Sequence, residues 1–153
     1  MTVRRLSEKE KASACALAWK VFLRYEAPEY SQEGIDAFRR FLDERGFISD
    51  MPFYGAFDGE KLVGMLAMRR PQHISLFFVL EEYHRQGIGR MLFERMKQDY
   101  SLKEFTVHSS PYAVEAYRHL GFVPLDTERL TDGIRYVPMK YSEKGARSGR
   151  SGI

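Results

Sequence analysis

Residues 79–90 read VLEEYHRQGIGR, and this stretch decides how the rest of the chain is arranged. It begins at the end of His73–Val79, HISLFFV, a run of branched and aromatic residues that predicts a mostly buried strand. Polar residues Glu81 to Gln86 follow, then Gly87-Ile88-Gly89. Met91, Leu92, Phe93 and Met96 recur at helical spacing and predict an amphipathic helix running to about Tyr100. A strand, a glycine turn and a helix thus stand in succession. Glycines at such a junction let backbone approach a ligand. The first helical amides lack intrahelical acceptors and attract phosphate. Arg85 and Arg90 add charge on either side. A plain helix entry would also carry Gly-x-Gly, but the preceding buried strand favours the ligand reading. Two phosphate-binding patterns are excluded. A P-loop needs Gly-Lys-Ser/Thr, and Gly89 is followed by Arg90-Met91. A dinucleotide fingerprint needs a small residue where Leu92 stands.

Working outward, Thr2–Arg5 reads as an edge strand and Ser7-Glu8-Lys9-Glu10 as a capping box that opens a helix. Ala14, Leu17, Ala18, Val21 and Phe22 mark its buried face. Beyond Pro28, Ser31 opens a second helix with Ile35, Phe38, Phe41 and Leu42 inward, and Gly46 is expected as its left-handed stop. Phe53–Phe57 and Lys61–Arg69 form a hairpin across Asp58-Gly59-Glu60. After the glycine turn come a strand at Glu104–His108 and a helix from about Tyr112 to Leu120 ending at Gly121. Phe122–Leu125 and Ile134–Tyr141 are expected to pair across a connection containing Asp132-Gly133. The order β-α-α-β-β-β-α-β-α-β-β mixes hairpins with crossover helices, so the sheet is mixed and layered with helices. No internal repeat is present.

A chain of 153 residues is the size of one domain. Its 44% hydrophobic and 29% charged content suits a globular protein, and no apolar run approaches the ~20 residues of a membrane span. The N-terminus lacks the apolar stretch of a secretory signal, which points to a cytoplasmic protein. The lone Cys15 excludes an internal disulfide or redox pair, and the four histidines lack clustered spacing, so no metal is expected. The net charge of +3 is mostly a property of the end: Lys144, Arg147 and Arg150 oppose Glu143 alone. Residues 1–142 are close to neutral, so nucleic acid is not the expected partner. Residues 142–153 read as a disordered basic tail behind a domain of residues 1–141.

The glycine turn resembles the coenzyme A motif of the GCN5-related N-acetyltransferase (GNAT) superfamily, Gln/Arg-x-x-Gly-x-Gly/Ala after a buried strand. Here it reads His84-Arg85-Gln86-Gly87-Ile88-Gly89, with His84 in place of the usual Gln or Arg. A second landmark, a helix carrying a tyrosine and closing in Gly-Phe, matches Tyr117-Arg118-His119-Leu120-Gly121-Phe122. The element order agrees with that fold over residues 1–141. The resemblance implies an α/β acyl-CoA N-acyltransferase fold: a central, mostly antiparallel sheet with one splayed parallel strand pair, flanked by helices. It implies an acetyl-CoA-dependent N-acetyltransferase acting on a primary amine of a small molecule or peptide, with direct attack in a ternary complex. A non-catalytic acyl-CoA-binding regulatory module of the same fold is the alternative. A monomer and a homodimer are both compatible with the sequence.

The resemblance further assigns residues. The backbone of Phe77, Phe78 and Val79 is implied to bind pantetheine and the acetyl carbonyl, and amides from Arg85 to Arg90 to bind pyrophosphate. Ser110 stands where many members have an asparagine on the pantetheine arm. Tyr117 is the implied proton donor to the coenzyme A sulfur; read without the motif, it is a core aromatic. Some members carry a basic glutamate near the start of the splayed strand. Counting back by the strand period puts Phe77, Ser75 and His73 on the face of Val79, with His73 at that position. A histidine titrates near neutrality, so His73 is a candidate base or water-relay residue. A strand-end histidine near solvent is the alternative. Tyr25, Glu26, Glu29 and Tyr30 are acceptor-site candidates, since acidic and aromatic side chains suit an amine.

Overall fold

A computed structural model of the chain describes residues 1–101 and 103–143. The first strand, β1 (Thr2–Arg5), is followed by the capping box: Ser7 N donates to Glu10 Oε1 at 2.9 Å and both halves of the box are formed. The Arg4 guanidinium clasps the same carboxylate and, together with that amide, holds it at a pKa of about 2. A single 3-10 turn then leads into α1 (Lys11–Tyr25), whose Ala14, Leu17, Ala18, Val21 and Phe22 are all buried.

In α2 (Gln32–Asp43), Ser31 Oγ accepts from Gly34 N at 3.2 Å as the expected cap. Phe38 stacks on Phe22 of α1 at 4.1 Å. Gly46 is not the stop. Glu44 leaves the helical region two residues earlier, and Gly46 lies inside a further short helix, α3 (Arg45–Asp50). The reason is tertiary: the buried Lys11 ammonium, paired with Glu8 at 2.7 Å, donates to the Ile48 and Ser49 carbonyls at 3.1 and 3.2 Å. A cation from α1 thus satisfies carbonyls at the end of α3 and holds that helix, with Gly46 inside it, against α1.

The hairpin of β2 (Phe53–Asp58) and β3 (Lys61–Arg69) turns on Gly59, whose φ is +64°. Next come β4 (His73–Val79), α4 (Ile88–Tyr100) and β5 (Glu104–Ser109). A 3-10 turn then precedes α5 (Val114–Leu120), which closes at left-handed Gly121. The last three strands are β6 (Val123–Pro124), β7 (Arg129–Thr131) and β8 (Ile134–Ser142). The sequence reading lacked β7, a short exposed strand without apolar alternation. It pairs with β8 across Asp132 and Gly133, which both take positive φ as a two-residue hairpin requires. The expected pairing of the Phe122–Leu125 segment with the last strand also forms, as β6 against β8. Ser142 belongs to β8, and Glu143 N donates to Lys103 O at 2.6 Å. The remainder of the proposed tail lies outside the described residues. Among the described residues no helix is long and apolar enough to cross a membrane.

The sheet runs β1-β2-β3-β4-β5-β8-β6, with β7 beside β8, and all pairs are antiparallel except β4 with β5. Helices cover both faces. Phe78 of β4 meets Phe38 of α2, whereas its neighbour Phe77 meets Tyr117 of α5. On that second face Phe93 of α4 packs on Phe105 of β5, and Gly64 of β3 lets Ile88 and Leu92 come close. A Cβ at Gly64 would lie 3.2 Å from Ile88. This close approach fixes the start of α4, and so the glycine turn, over β3 and β4.

Candidate functional site

β4 and β5 are parallel partners only at His73 with Thr106 and Ile74 with Val107. Beyond Ile74 no residue of β4 is paired with β5, so the two strands part toward their C-terminal ends. The glycine turn lies just past the open end. Arg85 (φ 64°) and Gly87 (φ 80°) both take left-handed conformations, the kind of backbone from which anion-accepting amide nests are built. Among the described residues the amides of Arg85 through Arg90 have no backbone acceptor, and the first helical bond is Met91 N to Gly87 O at 3.1 Å. The protein's own packing does not require glycine at 89: a Cβ there meets the Phe77 ring at 3.6 Å, an ordinary contact.

Side chains around the turn depart from the sequence reading. Arg90 does not flank the turn as a free charge; its guanidinium donates to His119 O at 2.7 Å, the C-terminal end of α5. It thereby ties the glycine-turn helix to the helix of Tyr117. His84 Nε2 meets Val79 O at 2.7 Å, so that carbonyl already has a partner and the strand end is locked to the turn. Gln86 anchors the turn through its amide to Glu82 O at 3.2 Å.

Tyr117 projects from α5, with its ring edge-on to Phe77 at 5.9 Å and to Phe122 at 5.4 Å. Burial, then the negative charge of Glu26, raises its pKa, so the phenol stays protonated. Glu26 caps the C-terminal end of α1. Its half-buried carboxylate lies near the Ser110 hydroxyl, which lowers its proton affinity. Ser110 Oγ accepts from Ala113 N at 3.2 Å, which leaves its hydroxyl proton available to a neighbouring acceptor. Burial raises the Glu26 carboxyl to about 7 against the opposing influence of the Ser110 hydroxyl, with a further increment from Glu29. Tyr25 stacks on Tyr112 at 5.0 Å and leans on His84 at 5.5 Å. The chain thus brings Tyr25, Glu26, Ser110, Tyr112 and Tyr117 together around the open end of the strand pair. Tyr30 is turned to the core, edge-on to Phe22 at 5.3 Å, and Glu29 is exposed, its carbonyl taken by Arg135 at 3.2 Å. Tyr112 escaped the sequence reading because nothing in its local pattern marks a ring that stacks across the cleft.

His73 stands apart from this group. Met68 opposes Ile74 and Ala67 opposes Leu76, so Ser75 is an unpaired bulge residue. A bulge interrupts the two-residue alternation. His73 therefore faces away from Val79 and Phe77, toward Thr106, whose Oγ1 lies 2.8 Å from its Nδ1, and His108, 4.8 Å between rings. Four residue steps along the strand separate it from Phe77, about 13 Å. Burial, then His108 and Arg69, lowers its pKa to about 4, which corrects the expectation of near-neutral titration. His108 is lowered likewise by burial and by Arg69 and Arg129, and it stacks on Tyr136 at 4.4 Å. Cys15 is no activated nucleophile, since burial and Asp43 raise its thiol pKa. Among the described residues no group of three or more His, Cys, Asp or Glu side chains clusters as a metal site. A hollow of about 590 Å³ beside α1 is lined by residues such as Lys11, Trp19 and Arg39, and includes none of the glycine turn.

The fold is shared with solved structures. A GCN5-related N-acetyltransferase from Rhodopseudomonas palustris, described as a class-II aminotransferase, superposes with a TM-score of 0.78 at 20% identity, covering 92% of this chain and 94% of that one. The PaiA N-acetyltransferase from Thermoplasma acidophilum, solved with coenzyme A, gives 0.70 at 21% identity over 92% and 98%. Apo YjaB from Escherichia coli gives 0.70 at 18% over 93% and 97%. No curated protein matches in sequence. The family model described as an acetyltransferase (GNAT) domain matches residues 26–143, most of the chain. This chain belongs to the GNAT acetyltransferase family.

Proposed function

We propose that the protein is an acetyl-CoA-dependent N-acetyltransferase that acetylates a primary amine of a small molecule or peptide. The observation that carries this reading is the run of unbonded amides from Arg85 to Arg90, beside the parting of β4 and β5 and within one helix of Tyr117. The amides receive the pyrophosphate of coenzyme A, with charge held at the helix start by the dipole. The free edge of β4 beyond Ile74 receives pantetheine through the backbone of Phe77 and Phe78, and Ser110 borders the arm. Gly89 suits close passage of a ligand, because its own neighbours leave room for a side chain.

Held this way, the thioester carbonyl lies at the strand gap, where backbone amides stabilise the developing oxyanion. The amine nitrogen attacks the carbonyl carbon, the C–N bond forms, and the C–S bond breaks. The departing thiolate accepts a hydrogen bond and then a proton from the Tyr117 hydroxyl, which the nitrogen's surplus proton replaces. The PaiA structure with coenzyme A supports the donor by analogy. Coenzyme A at a hundredfold excess over its Kd is expected to raise the melting temperature by about 8 °C, from about 2.7 kcal/mol of linkage. A shift below one degree at millimolar coenzyme A overturns the donor assignment. Thiol release from acetyl-CoA with a panel of amines separates the enzyme from the non-catalytic acyl-CoA-binding module, which would bind and release nothing.

A further inference from the structure

We propose that Glu26 is the group that takes the proton from the incoming acceptor ammonium, with Tyr25 and Tyr112 walling the entry beside Ser110. The assignment rests on the acetyltransferase reading and places the base on the end of α1, where neither the sequence nor the family likeness put it. It also defines the acceptor class as an amine that arrives as a cation.

Four observations carry it. Glu26 follows Tyr25 at the end of α1, and Tyr25 stacks on Tyr112 just past the C-terminal end of β5, so α1 ends beside the open end of the strand pair. Ser110 is buried, and its hydroxyl oxygen accepts from Ala113 N at 3.2 Å, so its proton is free to turn toward the nearby Glu26 carboxylate, whose proton affinity it lowers. The charge of Glu26 reaches the Tyr117 phenol, which comes from the opposite face of the sheet, so acid and base meet across the gap. Stacked Tyr25 and Tyr112 beside it present π faces, which attract an ammonium group.

The groups around Glu26 set its proton affinity. Glu29 repels its charge, whereas Arg24 points to Glu81 and Arg135 to Glu128 and the Glu29 carbonyl. Burial, and then the charge of Glu26, raises Tyr30, Tyr112 and Tyr117, so all three stay neutral and leave Glu26 the titrating member of the cluster. A carboxylate near 7 is matched to accepting a proton at neutral pH. The step balances: R–NH3⁺ and the carboxylate give R–NH2 and the carboxylic acid, the neutral amine attacks the thioester, and Glu26 later releases its proton to water.

The test compares wild type, Glu26→Gln and Glu26→Asp on two acceptors, an alkylamine and an amine whose conjugate acid has a pKa below about 5. With the alkylamine, Glu26→Gln is expected to lose about 100-fold in kcat/KM at pH 7 and to lose the wild-type acid limb near pH 7. With the weakly basic amine, already neutral, the loss is expected to stay within about threefold, and the coenzyme A thermal shift is unchanged. Glu26→Asp should retain a shifted limb. Equal losses on both acceptors, or an intact acid limb in Glu26→Gln, overturn the proposal while the enzyme reading stands. A wild type that binds coenzyme A and acetylates no amine overturns both. Stability gives a second readout, since the folded pKa lies above the unfolded 4.5. Glu26 stabilises fully below pH 4.5 and loses that contribution as pH rises through 7, so Glu26→Gln should gain on wild type across that window. No such gain would show that the carboxyl is not buried as required.

Discussion

Tyr117→Phe is expected to lower kcat about 100-fold with the coenzyme A thermal shift unaltered. The ring contacts with Phe77 and Phe122 survive this change, so the fold and the cleft wall persist and only the hydroxyl is lost. That hydroxyl sits on a phenol whose pKa is pushed up by burial and by Glu26. A donor so weakly acidic does not ionise ahead of the chemistry. It stabilises the leaving sulfur as a hydrogen-bond donor, and its proton moves only as the nitrogen surrenders one. Two consequences follow for the pH profile. The falling alkaline limb assigned to Tyr117 lies above about pH 10, and any limb near 7 belongs to a carboxyl. Pre-steady-state thiol release measures the step directly; retention of kcat within about threefold would remove Tyr117 from proton transfer.

Gly34→Ala is expected to cost about 3 kcal/mol of stability or more, measured by denaturant unfolding. A Cβ at Gly34 would stand 2.2 Å from Gly133 O and 2.8 Å from its carbonyl carbon. Both are backbone atoms in the β7–β8 turn, and neither can rotate away as a side chain would. The cap of α2 shares the junction, with Ser31 Oγ 3.5 Å from the same carbonyl. Separating the two would drive the final hairpin off α2 and disturb Arg135, which anchors Glu29 beside the acceptor side. The comparison variant is Gly59→Ala, where a Cβ meets nothing within 4 Å and only the positive φ is strained. That change should cost about 1 kcal/mol. Equal costs for the two variants would mean that the hairpin yields freely, against the close packing at Gly34.

Much of the site could be read from local pattern. The glycine turn declares itself because a left-handed residue before a helix favours glycine, and Gly87 takes that conformation. Tyr117 was legible only through its helix ending in Gly121-Phe122, since a tyrosine on an apolar stripe is equally a core residue. His73 was misplaced by a single bulge. The period-two count was sound along an unbroken strand, but Ser75 breaks the register with β3, and no residue in HISLFFV announces it. Gly46 is likewise not the stop: α2 ends at Asp43, and the short helix that contains Gly46 is held by Lys11, thirty-odd residues upstream.

What the sequence alone determined were features with a short physical range: the capping box of Ser7 and Glu10, the amphipathic face of α1, the hairpin at Gly59 and the strand–turn–helix around Gly87. Each is decided by torsional preference or by apolar spacing over a few residues. Only the tertiary structure decided which polar groups share a low-dielectric space. Glu26 is an ordinary acidic residue in RYEAPEYSQ until Ser110 and Tyr117, about ninety residues away, close around it. Its proton affinity depends on lost hydration and on charges that the fold brings near, and neither quantity is a property of the neighbouring sequence.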